Sequence, residues 1–249
     1  MKARCWLVAA AVLLLLPAAA GAQGIAGRFT IAAQVGTQSE VSGDLMKSAT
    51  GFLLDRPVVI DSVRYRDVYE PDWRLQLLLG YGVGERTELI GRATWYAAEG
   101  VGVEAGRMGG TGGTGGTPLF AFFDVSKYEE VGFEIGLRYY LATQSRLKSY
   151  IAPVVGVRFV EEILVTFSAL EQGVSIQNVP FSKEGAVPVF GLDIGFTFDL
   201  GERLYLGIDT GIRYQSPSGE FDHLIGLGNI DDSEGRWSAP VVASIGLRF

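Results

Sequence analysis

The sequence predicts an all-β chain: a transmembrane, up-and-down antiparallel barrel of eight strands, ten being possible, behind a cleaved signal peptide. Three observations predict it. Eight segments alternate apolar and polar side chains, as strands with two unlike faces do. The links between them alternate short and long, as in bacterial membrane barrels. Charged side chains keep to one parity within each segment, so one face of every strand carries none.

The elements follow in order. Lys2 and Arg4 open a positive region, Trp6 to Leu16 are all apolar, and Ala20-Gly21-Ala22 supplies a small-x-small cleavage pattern. Residues 1–22 are therefore expected to be an export signal and residues 23–249 a single barrel domain. The apolar run is too short for a spanning helix, which needs about twenty residues. Cys5 is the only cysteine and lies before that run, so neither a lipid anchor nor a disulfide is expected. Removing Lys2 and Arg4 takes the net charge from −7 to −9, an acidity that argues against nucleic acid as a partner.

Strands are expected over residues 27–36, 73–83, 87–97, 130–141, 149–160, 186–200, 203–215 and 237–249. Each has about the ten residues that a tilted membrane strand requires. Short turns lie around Gly84-Glu85-Arg86, residues 143–148 and Gly201-Glu202, and long connections at residues 37–72, 98–129, 161–185 and 216–236. The outward face runs through Phe29, Ile31, Leu75, Leu77, Leu79, Phe133, Ile135, Val155, Val157, Phe196, Ile208, Val241, Ile245 and Leu247, without a charge. Trp73, Trp95, Tyr214 and Trp237 fall at the loop-side ends, where an aromatic girdle meets the membrane interface; Tyr81, Tyr139, Phe198 and Phe249 fall at the turn-side ends. A one-residue slip would turn the opposite parity to lipid, where a midplane Arg costs roughly 2–4 kcal/mol.

That opposite parity carries Arg28, Arg74, Arg92, Arg138, Arg158, Arg213 and Arg248, together with Glu88, Glu134, Asp193, Asp199 and Asp209. Arg92, Glu134, Arg138, Arg158, Asp193, Asp209 and Arg213 are expected to form an ion-pair network, because eight strands enclose little more than room for side chains. The network either plugs the barrel or lines a gated polar path. Glycines (Gly80, Gly132, Gly191, Gly195 and Gly211 among them) share this face, which suits a crowded lumen better than the solvated exterior of a soluble, lipocalin-like barrel.

The closing Ile245-Gly246-Leu247-Arg248-Phe249 alternates apolar residues and ends in Phe. In this and in its strand–loop rhythm the chain resembles the small outer-membrane barrels of the OmpA-membrane-domain, OmpX and OmpW kind, a porin-like group. The resemblance implies export to the outer membrane of a Gram-negative cell, contact with its lipid and lipopolysaccharide, and recognition of Ile245, Leu247 and Phe249 by barrel-assembly machinery. It also implies either a non-enzymatic barrel with long extracellular loops as a structural or binding surface, or an OmpW-like narrow channel for small or apolar solutes. No cofactor or metal is implied.

Three further features are weighed. His223 beside Asp222 admits a surface hydrolase, loosely similar to the omptin proteases, but adjacent residues face opposite sides of a strand and no second acidic pair accompanies them. An exposed loop histidine and a non-enzyme are expected instead. The Gly109–Thr117 repeat lacks the Lys-Ser/Thr ending of a phosphate loop and is expected to be a mobile tip. The first long loop, with Leu45, Met46, Phe52 and Val58-Val59-Ile60, is too apolar for free solvation. It is expected to extend the wall, to cover the mouth, to add a hairpin to the barrel, or to offer a hydrophobic contact site.

Overall fold

A computed structural model describes residues 25–53, 56–108, 119–141, 146–169, 174–220 and 234–249. The export signal, the Gly109–Thr117 repeat and His223 lie outside them. Seventeen strands and one short helix are described. Eight strands form the barrel: β1 (Phe29–Ser42), β6 (Asp72–Gly82), β7 (Thr87–Ala98), β10 (Tyr128–Tyr140), β11 (Leu147–Val160), β14 (Gly185–Asp199), β15 (Leu204–Gln215) and β17 (Arg236–Arg248). The other nine are β2 (Asp44–Met46), β3 (Ala49–Leu53), β4 (Arg56–Ile60), β5 (Val63–Arg64), β8 (Val103–Met108), β9 (Leu119–Val125), β12 (Ile163–Ala169), β13 (Val174–Lys183) and β16 (Gly219–Glu220). The helix, α1, is Tyr65–Val68.

The barrel closes in the order β1-β17-β15-β14-β11-β10-β7-β6, with β6 paired back to β1 and every ladder antiparallel. Each expected strand is present. The seam joins the two ends of the chain: Phe249 N–H donates to the Phe29 carbonyl at 2.9 Å, and Phe29 N–H to the Phe249 carbonyl at 3.1 Å. Closure removes every open edge, and in lipid an open edge leaves backbone groups unpaired at several kcal/mol each.

The two faces separate as the parity requires. Leu77, Ala93, Phe133, Val157 and Pro188 occupy one outward row across β6, β7, β10, β11 and β14. Ile135 is 63% exposed and Ile194 56%, while one residue away Glu134 and Asp193 are buried. A closed antiparallel barrel that shows its apolar side chains outward and buries its charges is an integral outer-membrane protein. Trp73 and Trp95 stand exposed on its loop-side rim. Elsewhere on this rim Phe190, Tyr214 and Trp237 cluster with ring centroids 5.0 to 6.3 Å apart. On the turn side Phe29 meets Tyr81 at 4.8 Å.

The barrel has the eight strands expected, and the further hairpin that would have made ten is not part of it: the hairpin of β3 and β4 from the first long connection pairs with β8, outside the barrel. The long connections, moreover, are largely sheet rather than loop. Together they build a seven-stranded antiparallel sheet in the order β16-β13-β12-β9-β8-β4-β3, to which all four contribute. In it β13, β12, β9 and β8 continue β14, β11, β10 and β7 after short breaks, so this sheet extends half of the barrel wall outward. Its strands bury Val58, Ile60, Phe123, Val125, Ile163, Val165, Phe167 and Phe181 in one apolar core with Leu45, Met46, Val68 and Tyr69.

Candidate functional site

The lumen is the site that the barrel positions best. Strand alternation aims every second side chain of eight tilted strands at one narrow axis, where charged and aromatic side chains meet beside an apolar group that includes Leu78, Ile90 and Val154. At mid-height sits Glu134 of β10. It accepts hydrogen bonds from Arg92 Nη1 at 3.1 Å, from Arg213 Nε and Nη2 at 3.2 and 3.1 Å, and from Arg158 Nη2 at 3.4 Å. Arg74 Nη2 stands 3.6 Å away. Asp193 of β14 shares two of these cations: Arg213 donates at 2.6 and 2.9 Å, and Arg92 at 3.0 Å through both terminal nitrogens. Arg92 and Arg213 thus tie β7, β10, β14 and β15 together across the axis.

Above this layer, towards the outer sheet, Arg158 donates to Glu130 at 2.6 Å, and Arg236 reaches Glu130 at 3.0 Å and Glu40 at 3.6 Å. Arg74 also donates to Gln38. Below it, Arg138 pairs with Glu88 at 3.1 Å, and Tyr140 donates to the same carboxylate at 3.0 Å. At the turn-side end Asp199 takes Lys148 at 2.6 Å and Arg248 at 2.5 Å. Arg248 lies over the Tyr205 ring at 4.3 Å, and Arg138 over the Tyr150 ring at 4.3 Å. Charged pairs and aromatic rings thus recur along the lumen.

Of the residues singled out in the sequence, Arg92, Glu134, Arg158, Asp193 and Arg213 meet in the central cluster, and Arg138 belongs to the layer below. Asp209 is placed differently: it accepts from Tyr150 at 3.0 Å and Gln34 at 3.3 Å rather than from an arginine. Arg28 precedes β1 and is only partly buried. Glu130, Arg236, Glu40 and Lys148 join the lumen although sequence reasoning passed over them. All four have even numbers, the inward parity of their strands, and that parity was the signal available.

Glycines make the crowding possible. A methyl group at Gly211 would run into the Asp193 carboxylate, and one at Gly80 into Glu88.

At the outer end the first connection packs against the outer sheet and the barrel rim. Gly43, at φ +116°, turns the chain out of β1, and β2, β5 and α1 then lie beneath the outer sheet. Val101 N–H donates to the Val68 carbonyl at 2.8 Å, and Tyr69 bridges to Gly100, which ties α1 to the second connection. Arg236 sits 4.9 Å from the Tyr65 ring centroid and 4.3 Å from that of Tyr128, a cation held between α1 and the barrel rim. The chemistry of this interior is that of paired charge. Its central carboxylates are saturated by guanidinium donors, and among the described residues no group of three His, Cys, Asp or Glu side chains is arranged for a metal ion.

No family model matches the chain, nor does any curated protein. Solved structures similar to it include the outer membrane protein OprG from Pseudomonas aeruginosa, at 16% identity and a TM-score of 0.48, over 92% of this chain and 99% of that one. The outer membrane protein AlkL is similar at 14% identity and a TM-score of 0.44, over 94% of each chain. The outer membrane protease OmpT from Escherichia coli is similar at 9% identity and a TM-score of 0.37, over 89% of this chain and 96% of that one.

Proposed function

We propose that this chain is a non-enzymatic outer-membrane barrel with a plugged lumen, whose seven-stranded outer sheet is a structural and binding surface facing the exterior. The observation that carries the reading is the central cluster: four arginines converge on Glu134, and two of them also hold Asp193. Charges buried so deeply are stable only when paired, and removing one partner strands the others. A conducting path would have to part these pairs across the full cross-section. A lid of Tyr65, Val68 and Tyr69 adds a second closure, apolar where the first is ionic. Lipid contacts the outward rows, and the assembly machinery meets β17, whose Ile245 and Leu247 face outward beside the terminal Phe249.

Planar-bilayer recording on the refolded protein tests this. Closed or small, flickering currents are expected from the wild type. Triple replacement of Arg92, Arg138 and Arg213 by neutral residues is expected to raise conductance or to destabilise the barrel. Large, steady wild-type conductance would establish the alternative, a narrow channel for small solutes.

A further inference from the structure

Where β7, β10, β11 and β14 leave the barrel, its wall holds a groove of about 460 Å³ on the outward side, whose floor is the strand segment carrying the inward-facing Glu130 and Val160. Two rows of side chains build it. Ladder pairing sets Trp95 beside Val131, Val131 beside Phe159, and Phe159 beside Ala186, one row across four neighbouring strands. These point away from the lumen; Trp95, Val131 and Phe159 are 41, 43 and 50% exposed. Two residues farther along each strand, about 7 Å closer to the exterior, stand Glu129, Glu161 and Glu184. Glu161 N–H, just past the end of β11, donates to the Glu129 carbonyl at 3.1 Å, which sets these two positions side by side, and Glu184 lies in the one-residue break between β13 and β14 on the other flank. Glu129 is held by Lys127 at 2.5 Å. Glu161 and Glu184 are exposed and form no ion pair with any described residue.

We propose that this groove binds an amphiphilic organic cation at the outer face of the membrane, its alkyl part along the Trp95–Ala186 row and its ammonium between Glu161 and Glu184. Depth and charge together select this occupant. The apolar row continues the lipid-facing wall, so whatever fills it must bring a chain that leaves water. The acidic row lies at headgroup level, where it repels the phosphate of an anionic lipid and attracts a cation. A divalent metal needs several oxygen ligands at short distance, and the described residues offer no group of three acidic side chains so arranged. An ammonium asks for charge alone, and the indole face of Trp95 is a further attraction for it.

The proposal rests on the membrane reading for its depth. It is tested by equilibrium dialysis of the full refolded chain in nanodiscs of digalactosyldiacylglycerol, a neutral lipid without an ammonium group, corrected for empty nanodiscs, against octyltrimethylammonium, octanol, octyl sulfate and Mg²⁺ alone. Saturable binding of the ammonium, at least tenfold tighter than octanol, with octyl sulfate excluded, is expected. The E161Q/E184Q variant should lose that preference and keep the octanol affinity, with unchanged heat-modifiable mobility because both side chains lie outside the barrel core. Equal affinity for ammonium and octanol in the wild type overturns the proposal without recourse to any variant. So does a preference that survives E161Q/E184Q, or displacement of the ammonium by equimolar Mg²⁺, which would mark an inorganic cation site. Failure of the chain to enter nanodiscs would overturn the membrane reading and this proposal with it.

Discussion

When one carboxylate receives four guanidinium groups in a closed space, as Glu134 does, its loss is felt by all of them. Replacing Glu134 with Ala leaves Arg74, Arg92, Arg158 and Arg213 to share Asp193 and Glu130, with net positive charge in a region shielded from water. A loss of about 3–5 kcal/mol is expected, the usual scale for breaking a buried pair from one side. Urea unfolding of the refolded protein in lipid vesicles, followed by tryptophan fluorescence, measures it. An unchanged midpoint would mean that water or ions already satisfy the arginines and that the lumen is wetter than its packing implies. Asp209 offers the contrast: its partners are neutral, so Asp209→Asn should cost far less in the same titration.

At the scale of the strand, legibility follows from how sharply the two faces differ. A barrel strand separates lipid from a charged axis, so its period of two is written in residues as unlike as Ile135 and Glu134, and all eight could be placed from the sequence. The outer-sheet strands separate an apolar core from water, a softer contrast, and they are shorter. Register shifts between Glu104 and Gly106, and between Val165 and Phe167, also break their alternation, which is why connections were expected where strands stand. Pairings across the lumen depend on stagger between strands, which alternation alone does not encode. The closing strand carries its own prediction. Deleting Phe249 removes the two backbone bonds to Phe29 at the seam but leaves the other pairs of the β1–β17 ladder. Refolding into detergent should therefore survive, at a cost of about 1–3 kcal/mol, while insertion in cells slows greatly if Ile245, Leu247 and Phe249 are what the assembly machinery grips. Heat-modifiable gel mobility compares the two, and normal insertion of the truncated chain would remove the assembly role from Phe249.

At the scale of the whole molecule, the outer sheet and the tight turns lie at opposite ends of the barrel. A cysteine in place of Phe52, 65% exposed on β3, should react with an impermeant reagent on intact cells. One in place of Glu202, in the turn between β14 and β15, should not. The reverse pattern would invert the molecule in the membrane. The two sheets also differ as mechanical objects. The barrel has no end strand, so force along its axis must shear several ladders at once. The outer sheet ends on β3 at one side and β16 at the other, and a strand at a free margin unzips one bond pair at a time. A load applied from outside, such as a bound surface dragged past the cell, is thus expected to peel the outer sheet first and spend itself there. Single-molecule pulling on the outer sheet should show small, early ruptures well before the large event that extracts the barrel, which makes the outer sheet a fuse for the wall beneath it.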